Sequence, residues 1–198
     1  MPSVKRRVPK HTYSGNKWKT MATNKKYLEV DFDRRCAYCD DADRYNGGRR
    51  AYQVDHFAPK SLFPALEFTY ENLLYSCPFC NRAKWDTWVG TDAGTSVVGN
   101  KGFVSPCTDE YFEHLIREED GTIKAVTPLG KYMHKNLKLY LQRHSILYLL
   151  EQVDERCDLL EQQIENAKNE GKDVSNLQSV HYEVTTVLRK YYKILSNL

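Results

Sequence analysis

The sequence lacks any apolar run of the roughly 20 residues that a membrane-spanning helix requires. Its longest uninterrupted apolar run is the short segment 146–150. The first eleven residues are basic and lack the apolar stretch of a secretory signal, so we expect a cytoplasmic protein with no membrane partner. In that compartment cysteines more often bind metal or remain free thiols than form disulfides.

Acidic residues are missing from the first 28 positions, which carry eight lysines and arginines. The rest of the chain holds 21 basic residues against 26 acidic ones, so the net charge of +3 hides an asymmetry. This pattern predicts a basic N-terminal arm over residues 1–28 that contacts the phosphate backbone of a nucleic acid. A solvated, partly disordered chain end is the alternative.

With 198 residues, 41% of them hydrophobic, the chain is long enough for one domain of ordinary size and an appendage. We predict that the main domain occupies residues 29–127 and that a helical hairpin occupies residues 128–198. Apolar residues recur at alternating steps of three and four from 150 to 164 and from 174 to 198, which is typical of paired helices. The hairpin either folds on itself or offers an apolar edge to a partner protein or a second copy.

Four of the six cysteines form two CxxC pairs, Cys36–Cys39 and Cys77–Cys80. Four thiolates from two tight turns suit tetrahedral zinc that is closed entirely by protein. Such a site stabilises the fold and has no open position for chemistry, so we expect a structural zinc ion. Cys107 and Cys157 have no CxxC partner and are left out of the site.

Three polar residues between or beside these turns are candidates for chemistry: Asp55, His56 and Asn81. The oxygen atoms of Asp55 and Asn81 suit Mg²⁺ or Mn²⁺, which also take up phosphate oxygens. A neutral His56 can serve as a general base, because the pKa of histidine lies near working pH.

In this order, the motifs resemble the HNH endonucleases, in the variant with Asn at the third position. The resemblance covers residues 33–88 and rests on both cysteine pairs, Asp55-His56-Phe57, Asn72-Leu73, and Asn81 with Lys84 three residues later. It implies an α+β fold: a ββα-metal core stabilised by the four-cysteine zinc site, with mostly helical flanks and the C-terminal helical hairpin.

The same resemblance implies a role for each matched residue. His56 is similar to the general base, Asp55 and Asn81 to the ligands of a catalytic Mg²⁺ or Mn²⁺, and Asn72 to the residue that braces the hairpin loop and orients the histidine. Residues expected to face phosphate are Lys60, Arg82 and Lys84. The three letters of the name HNH stand for three motif residues, and Asn81 occupies the position of the third, His. This difference leaves the metal preference open.

A looser likeness extends to the HNH proteins of Septu and retron defence systems, which work beside an SMC-like ATPase. We therefore expect a nuclease that cleaves nucleic acid, DNA rather than RNA, as an effector in bacterial anti-phage defence. Two alternatives stay open: an effector that cleaves RNA such as tRNA under the control of an ATPase partner, and an inactive zinc-containing adaptor that binds nucleic acid.

Overall fold

The computed structural model describes residues 3–198, which divide into two compact units, one ending at Leu141 and the other running from Gln142 to Leu198. Helices and small sheets mix in the first unit, and the second is a pair of helices. The predicted α+β class is confirmed. Among residues 3–198 there is no helix with both the length and the apolar character to span a membrane.

The first unit is built from short elements around one apolar core. Its helices are α1 (Met21–Asp31), α2 (Gly48–Ala51), α3 (Pro78–Lys84), α4 (Tyr111–His114) and α5 (Pro128–Asn136). Its strands are β1 (Gln53–His56), β2 (Leu73–Ser76), β3 (Val97–Val98), β4 (Lys101–Gly102), β5 (Leu115–Arg117) and β6 (Ile123–Ala125). They pair in sequence order as three antiparallel two-stranded sheets.

The β1–β2 sheet and α3 form the element that carries the candidate catalytic residues. In the β1–β2 register Gln53 faces Ser76 and His56 faces Leu73, and one further hydrogen bond, from Phe57 N to Asn72 O, extends the pairing. All four residues of β2 are buried, whereas in β1 Asp55 is buried, Gln53 is exposed and the other two are half-buried. Within the described residues β1 pairs only with β2, and its residues line a cleft.

The tyrosines of the core are buried together with their hydroxyl groups. Each of the five most buried donates a hydrogen bond to a carboxylate or a backbone carbonyl, which removes the cost of burying an unpaired hydroxyl. These tyrosines are Tyr38, Tyr52, Tyr70, Tyr75 and Tyr111. They connect segments that are far apart in sequence.

The start of the predicted basic arm belongs to this core. Val4 is fully buried, and Lys5, 3% exposed, donates from Nζ to the carbonyls of Ala37 and Pro106. Burial lowers the pKa of Lys5 to about 8. Lys5 therefore cannot contact a phosphate backbone as the sequence suggested, whereas Lys17 and Lys19 further along the arm are exposed.

The second unit consists of α6 (Gln142–Asn169) and α7 (Ser175–Leu195), joined by a turn in which Gly171 takes a φ of +69°. The two helices pack against each other along their regularly spaced apolar residues, and this contact is the seam of the hairpin. The thiol of Cys157 lies there, 3.9 Å from Thr185 Oγ1. Residues 128–141, which the sequence analysis placed with the hairpin, lie in the first unit instead. Thr127 caps a separate helix there, α5, with its side chain accepting from Gly130 N.

Candidate active site and cysteine metal site

The four paired cysteines converge on one point. Their sulfur atoms lie within 4.8 Å of one another and all four side chains are buried. Sulfurs held about 2.3 Å from a central ion in a tetrahedron are about 3.8 Å apart, and the Cys39 and Cys77 sulfurs are 3.8 Å apart. The cluster has the dimensions of a structural metal site.

The cysteine cluster fixes the positions of the elements that carry the candidate active site. Cys77 follows β2 directly and caps α3, with its sulfur accepting from Cys80 N at 3.4 Å. The other pair lies in the turn after α1, where Ala37 N donates to Tyr75 O in β2. Asn81 directly follows Cys80 in the chain, so the cluster also fixes the position of the Asn81 backbone.

His56 ends β1 with its imidazole half-buried. Its Nε2 lies 3.0 Å from the carbonyl of Glu67, and since a carbonyl only accepts, Nε2 carries the hydrogen. Nδ1 is then the basic nitrogen of the neutral ring. Burial lowers the pKa of His56 below its ordinary value, and the charge of Lys60 acts in the same direction. The neutral form suited to accepting a proton is favoured near pH 7.

Asp55 is 5% exposed and held from two sides. The hydroxyl of Tyr38 donates to Oδ2 at 2.5 Å, and Lys84 Nζ lies 3.4 Å from Oδ1. Burial raises the pKa of Asp55 above its ordinary value, while Lys84 and the Tyr38 hydrogen bond oppose that rise. Each carboxylate oxygen has two lone pairs, so both retain capacity for a cation.

Lys84 does not occupy the position predicted for it. Its side chain is fully buried, and Nζ donates to the backbone carbonyl of His56 at 2.7 Å as well as to Asp55. A phosphate cannot reach this group, so the expectation that Lys84 contacts phosphate is wrong. Lys84 instead ties the end of α3 to two neighbouring candidate residues, Asp55 and His56.

Asn81 projects from α3 toward β1. Its amide nitrogen donates to Gln53 Oε1 at 2.5 Å, and that bond orients Oδ1 away from Gln53. Within residues 3–198 no hydrogen bond is found for Asn81 Oδ1. An oxygen donor is therefore available here, as a metal ligand requires.

Asn72 lies under the connection that follows β1. Its Oδ1 accepts from Ala58 N at 2.8 Å and its Nδ2 donates to Ala58 O at 3.0 Å. This pair of bonds fixes the backbone two residues after His56. The position suits a bracing role, and a contribution of Asn72 to catalysis stays a prediction.

A cleft of about 430 Å³ opens along β1 and α3. Its wall includes Asp55, His56 and Asn81, together with the basic residues Lys60 and Arg82. Both basic side chains are exposed, and Lys60 forms an ion pair with Glu67 at 2.9 Å. Of the three residues expected to face phosphate, these two are in a position to do so.

The cleft fits a divalent cation by the chemistry of its donors. One carboxylate and one amide oxygen, from Asp55 and Asn81, line the same wall and are the hard ligands that Mg²⁺ and Mn²⁺ take. Two protein ligands leave coordination positions for water and phosphate oxygens. Lys84 Nζ, 3.4 Å from Asp55 Oδ1, offsets part of the negative charge of that carboxylate.

Two contributors to the site are absent from the sequence prediction. Tyr38, between Cys36 and Cys39, joins the cysteine cluster to Asp55, and Gln53 orients Asn81. Gln53 lies two residues before Asp55, so strand alternation places both on one face, and this signal could have identified it. Nothing in the sequence around Tyr38 indicates its partner.

Residues 36–87 match the family model of the HNH endonucleases. This segment is an HNH endonuclease domain. The enzyme class of the domain is therefore that of a nuclease, a hydrolase, as the sequence predicted. The Septu protein PtuB of Bacillus thuringiensis is 29% identical over 83 residues, which make up 42% of this chain. The match spans 28% of that protein's length. No solved structure gives a significant match.

Proposed function

We propose that the protein is a metal-dependent endonuclease that hydrolyses phosphodiester bonds, with DNA as the favoured substrate. The observation that carries the proposal is that His56, Asp55 and Asn81 line one cleft, with Nδ1 of His56 as its basic nitrogen. Hydrolysis of a phosphodiester by one metal and one base uses a proton acceptor and oxygen ligands for the metal. The imidazole, the carboxylate and the amide oxygen of these residues offer those groups.

His56 Nδ1 takes a proton from the water that attacks phosphorus. The hydrogen bond from Nε2 to Glu67 keeps the ring in the tautomer and orientation for that transfer. A Mg²⁺ or Mn²⁺ ion held by Asp55 and Asn81 would stabilise negative charge on the phosphoryl and leaving oxygens. Arg82 and Lys60 hold the flanking phosphates, and Asn72 keeps the loop after His56 in place.

We further propose that the metal of the cysteine cluster is zinc. A site of four buried thiolates, with no open position, suits zinc rather than magnesium or manganese. The two sites would then have separate functions: the four cysteines would hold zinc that stabilises the domain, and Asp55 and Asn81 would hold the ion that supplies Lewis-acid chemistry.

The experiment that tests the nuclease assignment uses the purified full-length protein with plasmid DNA, single-stranded DNA and total RNA. Cleavage is expected with Mg²⁺ or Mn²⁺ and is lost with EDTA. Cleavage confined to RNA would move the assignment to an RNA-cleaving effector. Binding of all three substrates without cleavage would favour the zinc-containing adaptor.

The biological role that we propose is anti-phage defence, supported by the similarity to a Septu protein. The partner that the Septu and retron resemblance implies is an SMC-like ATPase, and we assign its docking to α7. Val187 and Ile194, seven residues apart, are each 39% exposed beside the seam that α6 covers. No residue of α7 is buried, so its apolar face keeps surface that α6 does not cover.

A further inference from the structure

A tryptophan at the rim of the cleft has a backbone conformation that is unfavourable for any residue other than glycine. Trp85 follows α3 directly and has φ +47° and ψ −138°. The Thr87 N–H donates to the Lys84 carbonyl at 3.1 Å, so residues 84–87 form a hydrogen-bonded β-turn. Such dihedrals at the second position define a type II′ turn, where glycine is usual. A bulky residue there strains the backbone, and such strain persists where the surroundings enforce it.

Trp85 is connected through its backbone to residues that line the cleft. Its N–H closes the last turn of α3 on the carbonyl of Asn81 at 2.9 Å. The preceding residue, Lys84, is anchored to the His56 carbonyl and to Asp55. The backbone position of Trp85 is therefore coupled to Asn81 and, through Lys84, to Asp55 and His56.

The indole itself is not used for packing. Trp85 is 71% exposed, whereas Trp88, three residues later, contacts the rings of Phe57 and Phe63. Trp85 also lines the same cleft as His56 and Arg82. A large apolar ring kept in solvent by a strained turn, beside a basic side chain, has the composition of a site for single-stranded nucleic acid.

We propose that Trp85 is a stacking platform for an unpaired nucleobase beside the cleaved phosphate, so the protein selects nucleic acid whose bases are unstacked there. In a regular duplex each base already stacks on its neighbours and offers no free face, whereas single strands and distorted positions do. This inference rests on the proposed nuclease function and narrows its substrate to strands with unpaired bases at the cleavage position.

Fluorescence anisotropy of the full-length protein tests the proposal, in a His56→Ala background so that no strand is cut. The labelled probes are oligothymidylate, oligouridylate, an abasic strand of equal length and a duplex. Trp85→Ala should weaken binding of both single strands about 5- to 150-fold, the range for loss of one stacked base. It should leave the abasic strand and the duplex within about twofold.

Two further variants separate stacking from damage to the fold. Trp85→Gly also removes the indole but relieves the strained turn, so it should melt at a higher temperature than Trp85→Ala while binding equally weakly. Trp85→Phe should retain most of the affinity. Tyr140→Ala, which removes another exposed aromatic of the same unit, serves as the control and should bind as the parent does.

Equal affinity of the parent and Trp85→Ala for the single strands would overturn the proposal. An equal loss on the abasic strand would overturn it as well, because the indole would then contact the backbone. If the parent binds strands through Trp85 but the wild-type protein cuts none of them with Mg²⁺ or Mn²⁺, the nuclease function fails and the stacking site stands. Absence of any binding would contradict both.

Discussion

The hydroxyl of Tyr38 donates a hydrogen bond to the carboxylate of Asp55, joining the cysteine cluster to β1. Tyr38 lies between Cys36 and Cys39, and its side chain is fully buried. The turn that carries the cysteines is therefore linked by one hydrogen bond to the carboxylate in the cleft. In the proposed reaction the cysteine site would act through geometry alone, because its four side chains are buried.

Tyr38→Phe tests this connection. It removes one donor from a buried carboxylate, so unfolding free energy should fall by about 1 to 3 kcal/mol. Cleavage should fall further than stability alone explains, because Asp55 loses its orientation. Urea unfolding, zinc content and turnover are measured together. Tyr52→Phe is the matched control, since its hydroxyl donates to the Asp41 carbonyl; a similar loss of turnover there would contradict the assignment.

Lys84→Met should destabilise the domain. Removing one partner of a buried ion pair typically costs about 3 to 5 kcal/mol, because the other charge stays buried. Arg82 is exposed, so Arg82→Gln should leave the free energy of unfolding unchanged. The variant should raise KM and make binding less dependent on salt. Denaturant unfolding and salt titrations separate the two. A stable Lys84→Met protein with weakened binding would restore the phosphate contact that the sequence suggested.

Cys77→Ser should release the structural metal and unfold the first unit. Structural zinc contributes on the order of 10 kcal/mol to domains of this kind. Elemental analysis and thermal melting measure both effects. The control is Cys107→Ser, which lies outside the cluster and should keep the metal and the fold. A purified wild-type protein without zinc would show that the cysteines hold something else.

Val187→Glu combined with Ile194→Glu should abolish co-purification with the ATPase partner, because both side chains belong to the exposed apolar stripe of α7. Zinc content and metal-dependent cleavage should be unchanged. Lys190→Glu places the same charge on an exposed position of that helix and should retain the partner. If the stripe instead serves a second copy of the chain, size-exclusion chromatography will show a dimer that the double variant dissociates.

Sequence spacing predicts the cysteine cluster and the polar residues that share the cleft, because CxxC turns and the residues beside them have few ways to arrange their side chains. The burial of Lys5 and Lys84 could not be predicted in the same way. Each is buried because carbonyls distant in sequence accept its hydrogen bonds, Pro106 for Lys5 and His56 for Lys84. A pattern of charges shows that a lysine is present and not which backbone will surround it.

The domain boundary near Pro128 illustrates a second limit. Helical periodicity does not distinguish a helix that packs into the first unit from one that pairs with α7. Thr127 and Pro128 are ordinary start signals for either. The positive φ of Trp85 is likewise invisible in sequence, since glycine is the usual residue of such a turn.

The central claim is that His56 removes a proton from water in a metal-dependent cleavage of nucleic acid. The most direct measurement compares single-turnover cleavage rates of wild-type and His56→Ala proteins with saturating Mn²⁺, after circular dichroism and elemental analysis show equal fold and equal zinc. We predict a loss of about 10²- to 10⁴-fold with substrate affinity retained. Equal rates for the two proteins, or wild-type cleavage that persists in EDTA, would contradict the account.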